Sequence, residues 1–208
     1  MRFALRAGIG VLAATAAALV FVPAASAAPT DINYDCQADT PLGAQNATLT
    51  QTVDASAPAS VAPGGTLDVV VDPAPSTVPT EVSGFEVKEV KGFSLKVPVP
   101  TNSTLAGVDL TGGSGLGDTP PTWSESGGVV TVTWAGPMAG GATFEIPTVT
   151  AHLTAGASGS IDATLYGSSY DDAGLTFTTV VSTFLGDISA PTSCFPNPNP
   201  VLTTTTIA

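Results

Sequence analysis

The chain has 208 residues, with 5 basic and 17 acidic side chains, a net charge of −12, 22 Gly, 18 Pro, two Cys and one His. So acidic a chain has no electrostatic footprint for nucleic acid or for an anionic membrane surface. A lone histidine with two cysteines excludes a multi-histidine metal site, a zinc ribbon and a disulfide-dense miniprotein, and 43% hydrophobic residues is too apolar for a disordered chain.

The first element is an export signal. Arg2 and Arg6 precede an uncharged apolar run from Ile9 to Val22, and Ala25-Ser26-Ala27 has the small-x-small pattern of a signal-peptidase site. Residues 1–27 are therefore read as a signal peptide, with an uncleaved anchor as the alternative. No later apolar run reaches the roughly 20 residues of a spanning helix. Cleavage would remove both arginines and leave Lys88, Lys91 and Lys96 against 17 acids, a net charge of −14. Arginine is the usual bidentate clamp for phosphate, so phosphoryl transfer is not expected. The expected location is extracellular or on the cell envelope.

Cys36 and Cys194 read as one disulfide, since an even pair in an exported chain is normally bonded. The alternative is two free thiols, which oxidising compartments disfavour. The bridge would close nearly the whole mature chain, worth at most roughly 5 kcal/mol in the chain-entropy model.

Residues 28–44 form an N-terminal segment, and residues 45–194 read as strands. Turn signals recur, among them Pro63-Gly64-Gly65, Gly127-Gly128 and Gly140-Gly141. Between them apolar residues alternate with polar ones. The inward faces are, in order, Leu67/Val69/Val71, Phe93/Leu95/Val97/Val99, Val130/Val132/Trp134, Ile161/Ala163/Leu165 and Leu175/Phe177/Val181. Parity slips at Pro147 and around Glu89–Gly92, which reads as bulges or bends. No helical pattern occurs beyond the signal. The prediction is an all-β fold, an antiparallel immunoglobulin-like β-sandwich of about nine strands. The Gly- and Pro-rich stretch 112–121 is a possible seam between two smaller units. Residues 195–208 form either a Pro/Thr-rich tail or an edge strand from Val201 to Ile207.

Two stretches carry a resemblance. Ala57 to Val69, around Val61-Ala62-Pro63-Gly64-Gly65, resembles the opening strands of bacterial immunoglobulin-like modules. Gly128 to Trp134, followed by Gly140 to Phe144, is similar to later strands of such modules. The chain is also similar to small exported actinobacterial proteins of unassigned activity. The resemblance implies an extracellular adhesive, structural or binding module and carries no functional residues.

Candidate chemistry is sparse. His152 falls on the polar side of its strand and reads as a surface histidine. Ser114 lies in a glycine-rich loop that lacks the G-x-S-x-G pattern and a following helix. Glu125 and Glu145, near Trp123 and Trp134, are the carboxylates a glycoside hydrolase would need, although Trp134 fits the core and Glu125 a turn. Calcium is the one cofactor considered, with Asp171 and Asp172, or Asp31, Asp35 and Asp39, as oxygen donors. Neither set has the spacing of a calcium loop. Lys88, Lys91 and Lys96 read as protection of an edge strand, or else, with Trp123, as a ligand surface.

The functional expectation is an exported, non-enzymatic protein that binds a protein or glycan or builds the envelope. The main rival is a carrier of an apolar small molecule between its sheets, and a carboxylate-based hydrolase is a third. A filled core favours the module, whereas an apolar cavity favours the carrier.

Overall fold

The computed structural model describes residues 24–26, 28–41, 43–184 and 186–208. The predicted signal peptide, apart from residues 24–26, lies outside the described residues. Eighteen strands follow in chain order. They are β1 (Ala24–Ser26), β2 (Thr30–Thr40), β3 (Gly43–Pro58), β4 (Ser60–Val61), β5 (Thr66–Pro73) and β6 (Ser76–Thr77). Next come β7 (Glu81–Val82), β8 (Phe85–Pro98), β9 (Ser103–Thr111), β10 (Thr122–Ser126), β11 (Val129–Trp134) and β12 (Met138–Ala139). The last are β13 (Thr143–Phe144), β14 (Thr148–Ala155), β15 (Gly159–Thr164), β16 (Leu175–Thr183), β17 (Gly186–Pro196) and β18 (Val201–Ile207).

The expectation of an antiparallel all-β chain holds. The expected pair of facing sheets with about nine strands does not describe the molecule. One 13-stranded sheet runs β10-β11-β8-β16-β17-β2-β3-β5-β14-β9, with β1, β7 and β12 attached off this path. Val130 and Val132 near one end of the path share a buried cluster with Val108 and Val149 at the other. The sheet is therefore rolled around one core, nearly closed into a barrel. A right-handed twist accumulating over so many strands curls an open sheet in this way. Among the described residues no pairing joins β9 to β10.

A three-stranded sheet, β15-β18-β4, covers one end. Its Ile161, Ala163 and Ile207 pack on Ala57, Leu67, Val69 and Leu153 of the main sheet. The strand expected from Val201 to Ile207 forms with those bounds, but it is the central strand of this sheet, not an edge or a tail. Its Thr205 is fully buried and donates to the Pro58 carbonyl at 2.7 Å.

Both parity slips have physical causes. On β8 the pairing with β16 shifts twice, so that Val87, Val90 and Phe93 are the buried positions. Gly92, at φ 65°, adopts the left-handed backbone the bulge needs and donates to the Ala135 carbonyl at 2.8 Å. At Pro147 the chain changes partners: β13 pairs with β6, whereas β14 pairs with β5 and β9.

The glycine-rich loop that holds Ser114 is anchored to the main sheet. Leu116 is buried in the main core, and Ser114 and Glu145 exchange backbone hydrogen bonds. Gly117 has φ 92°, and a Cβ there would lie 2.4 Å from the Gly136 carbonyl oxygen. Gly117→Ala is accordingly expected to cost at least about 1 kcal/mol, from backbone strain and a backbone clash together. Urea unfolding measures it, and an unchanged midpoint would show that the loop moves aside.

Candidate functional site

The rolled sheet is not filled. A first cavity, of about 140 Å³, lies inside the main core. Leu95, Val97 and Val99 of the β8 stretch line it, with Trp134, Val149 and Leu165. A second, of about 320 Å³, lies toward the hairpin ends of β2–β3 and β16–β17. Buried Cys36, Val87 and Ala190 line it, and exposed Pro41, Gln45 and Phe85 lie at its outer side. The two cavities share Leu49, Pro79, Val90 and Phe177 as walls. Of the predicted inward residues, Phe93 and Leu175 are buried, whereas Leu95, Val97, Val99, Phe177 and Val181 line this space and are half-buried.

Local sequence explains the mouth. Both hairpins close with the same device: Thr40 Oγ1 donates to the Gly43 carbonyl and Thr183 Oγ1 to the Gly186 carbonyl, each at 2.7 Å. Gly43 and Gly186 take φ of 105° and 115°, which a side chain would strain. Phe184, beside the lining residue Thr183, is 94% exposed, and Phe85 is 38% exposed.

Among the described residues neither lining includes a lysine, arginine, histidine, aspartate or glutamate. In a chain with 17 acids, none of the described lining residues is ionisable as an acid or base of ordinary pKa near neutrality. Burial pushes the Tyr34 phenol up to about 12, so it too stays neutral at physiological pH. Gln51 spends its amide on the carbonyls of Thr52 and Ala74, at 2.9 and 2.7 Å. Phe93 stacks on Trp134 at 4.7 Å and on Phe177 at 5.4 Å, so a row of rings connects the two cavities. Trp134 is 3% exposed, and its Nε1–H is the buried side-chain polar atom without a hydrogen-bond partner among the described residues.

The expected disulfide is formed. Cys36 and Cys194 are direct cross-strand partners on β2 and β17, with Cα atoms 4.1 Å apart. It joins two neighbouring strands within the sheet, one from near the start of the chain and one from near its end.

The remaining sequence candidates are scattered. The three lysines lie on β8, which has β11 and β16 on its two sides, so the reading of edge protection is wrong. Each cation has its own partner: Lys88 pairs with Asp187, Lys91 with Glu89 at 2.6 Å, and Lys96 lies over the Tyr166 ring. They do not converge on a ligand, and Trp123 sits apart on the exposed end strand β10. Trp134 is core, so the two tryptophans form no common sugar-stacking surface. Glu125 accepts from the Gly128 N–H at 2.8 Å inside the β10–β11 hairpin, as a turn residue does. Asp172 braces its own turn, accepting from Ser168 Oγ at 3.1 Å, while its N–H donates to Ser169 Oγ. Asp31 and Asp35 accept from Thr52 and Asn197. Among the described residues no group of three or more His, Cys, Asp or Glu is placed to hold a metal ion.

His152 has more company than a surface histidine needs. Its Nδ1 lies 2.7 Å from Asp68 and its Nε2 3.0 Å from Asp109, on the strands either side of β14. The hydrogen bonds to Asp68 and Asp109 raise its pKa above the ordinary histidine value. The stabilisation is thus fully present below the unfolded-state value near 6.5 and is lost as pH rises through the higher folded value. Wild type should lose more stability than His152→Gln between pH 5 and pH 8 in paired urea titrations. Parallel pH dependences would show that the two carboxylates do not hold the imidazolium.

No family model matches the chain, and no curated protein does. A solved structure is similar: a protein of the actinobacterium Corynebacterium diphtheriae described as membrane-anchored, at TM-score 0.59 and 19% sequence identity. The match covers 87% of this chain but only 38% of that one. At this identity the likeness is one of fold.

Proposed function

We propose that this chain is an exported, non-enzymatic protein of the cell envelope or extracellular space that carries an apolar small molecule inside its rolled sheet. The observation that carries this reading is the pair of adjoining cavities whose linings, among the described residues, hold no ionised side chain. Ligand pockets typically occupy about 300–1,000 Å³ and are mostly apolar with few polar groups, and even an apolar void of about 150 Å³ takes up benzene. The two cavities together fall in that range. Of the expected functions, the carrier therefore stands ahead of the adhesive or structural module. The export reading adds the reason for such a protein, since an apolar molecule crossing water needs its surface covered. The membrane-anchored description of the actinobacterial neighbour agrees with an envelope setting.

Entry would be at the open hairpin end, where Phe85 and Phe184 present apolar surface beside the second cavity. Phe184→Ser is expected to leave stability within about 0.5 kcal/mol, as exposed substitutions do, and to slow ligand uptake in stopped-flow fluorescence. The direct test is native mass spectrometry of the protein recovered from its own producing cells. A mass excess that disappears on denaturation supports a carrier. A bare chain that also fails to take up a neutral apolar dye would overturn it.

A further inference from the structure

The second cavity changes character along its length, which orients a carried molecule, on the carrier reading just given. Its wall is built by alternate residues of each strand, so the pleat directs their side chains inward. On β16 these are Phe177, Thr179, Val181 and Thr183, and on β3 Gln45, Ala47 and Leu49. Leu49 and Phe177 also wall the first cavity, whereas Gln45 stands at the hairpin end. Ser83 lines the same cavity from the β7–β8 turn, where its φ of 53° is a left-handed backbone that strains a serine. Among the described residues the side chains of Gln45 and Ser83 make no hydrogen bond with the protein. Both are uncharged, and both can donate and accept.

The charge around this mouth is acidic. Glu81 and Glu86 are cross-strand partners one pair behind the Ser83 turn. Neither forms an ion pair among the described residues. Asp39 precedes the lining residue Thr40, and the Lys88 ammonium is held by Asp187. An anionic head here would meet carboxylates with no cation to receive it.

We infer that the second cavity holds the uncharged, hydroxylated head of an amphiphile, an acylglycerol or alkyl glycoside, beside Gln45 and Ser83. The hydrocarbon chain runs inward past Phe177 to the first cavity. Hydroxyls suit groups that both donate and accept, and a head without charge is not repelled by the acids. In the reverse orientation the head would lie among Leu95, Val97 and Val149 and lose its hydrogen bonds to water.

The test titrates 1-decanoylglycerol, methyl decanoate and decanoate, each below its aggregation concentration, into the oxidised, 15N-labelled protein. In 1H–15N spectra the glycerol ester should move the Gln45 side-chain amide and the Ser83 backbone amide. Methyl decanoate should leave both nearly in place. This readout needs no variant. Gln45→Val combined with Ser83→Gly should weaken 1-decanoylglycerol about tenfold while leaving methyl decanoate unchanged, through the loss of two hydrogen bonds. Glycine accepts the φ of position 83, so that turn is kept. Glu81→Gln combined with Glu86→Gln should tighten decanoate about threefold at low salt, leave 1-decanoylglycerol unchanged, and lose its advantage in ~1 M salt. Comparing variant and wild type on one probe cancels the differing solubilities of the probes. Binding of 1-decanoylglycerol with both resonances unmoved, and with equal affinity for wild type and the Gln45/Ser83 variant, would overturn this inference and leave the carrier reading intact. Failure of every probe to bind would overturn both.

Discussion

Replacing both Cys36 and Cys194 by alanine is expected to lower the free energy of unfolding by about 3–5 kcal/mol. The two residues are 158 apart in sequence, so the bridge removes a very long loop from the denatured ensemble. Its position adds to the effect. The β2–β17 pairing is where the strands from the start of the chain meet those from its end. To one side the sheet continues through β16 and β8, and to the other through β3 and β5. Without the bond this non-local seam must be closed from an unconstrained chain. Urea unfolding followed by circular dichroism measures the change. The midpoint should fall and the m-value rise, because a denatured chain without the cross-link exposes more surface. A loss under about 1 kcal/mol would mean that the denatured state is held compact by something other than the bridge.

Trp134→Ala is expected to cost about 3–5 kcal/mol, the range for truncating a buried aromatic side chain. The ring is nearly inaccessible and sits in a stack with Phe93. Its removal would merge new volume with the existing 140 Å³ cavity, which the rolled sheet is ill placed to collapse around. Trp134→Phe should behave differently. It loses part of the indole area but keeps a ring on Phe93, and it deletes the unpaired N–H. Relief of an unsatisfied donor offsets much of the lost burial, so the ligand-free variant should lie within about 1.5 kcal/mol of wild type. Urea unfolding of the two variants beside the wild type measures both costs. If alanine and phenylalanine cost the same, the indole nitrogen is already satisfied in the free protein.

The tryptophan illustrates how far the sequence reaches. Val130, Val132 and Trp134 alternate with threonine, and all three are buried. Alternation in β-strands follows from the pleat, which sends successive side chains to opposite faces, so a one-dimensional string suffices to find the inner face. It does not say whether that face meets atoms or empty space. Leu95 and Val97 carry the same signal as Val132, yet they line the cavity while Val132 is packed with no exposed surface. Exposed Phe184 follows Thr183, a residue that lines the second cavity.

By itself, then, the amino-acid sequence determined the all-β class, the turns at Gly127-Gly128 and Gly140-Gly141, the bend at Pro147, and the disulfide. All are local consequences of side-chain chemistry or of cysteine count. Tertiary structure alone decided that the lysines of β8 are interior to the sheet, that β18 is a central strand, and that the sheet rolls up instead of splitting in two. Period-two patterning names a face and never a partner. Pairing is settled by contacts between residues far apart in the chain, such as Thr205 with Pro58 or His152 with Asp68. The cavities and the unpaired indole exist only once those distant strands have closed around them.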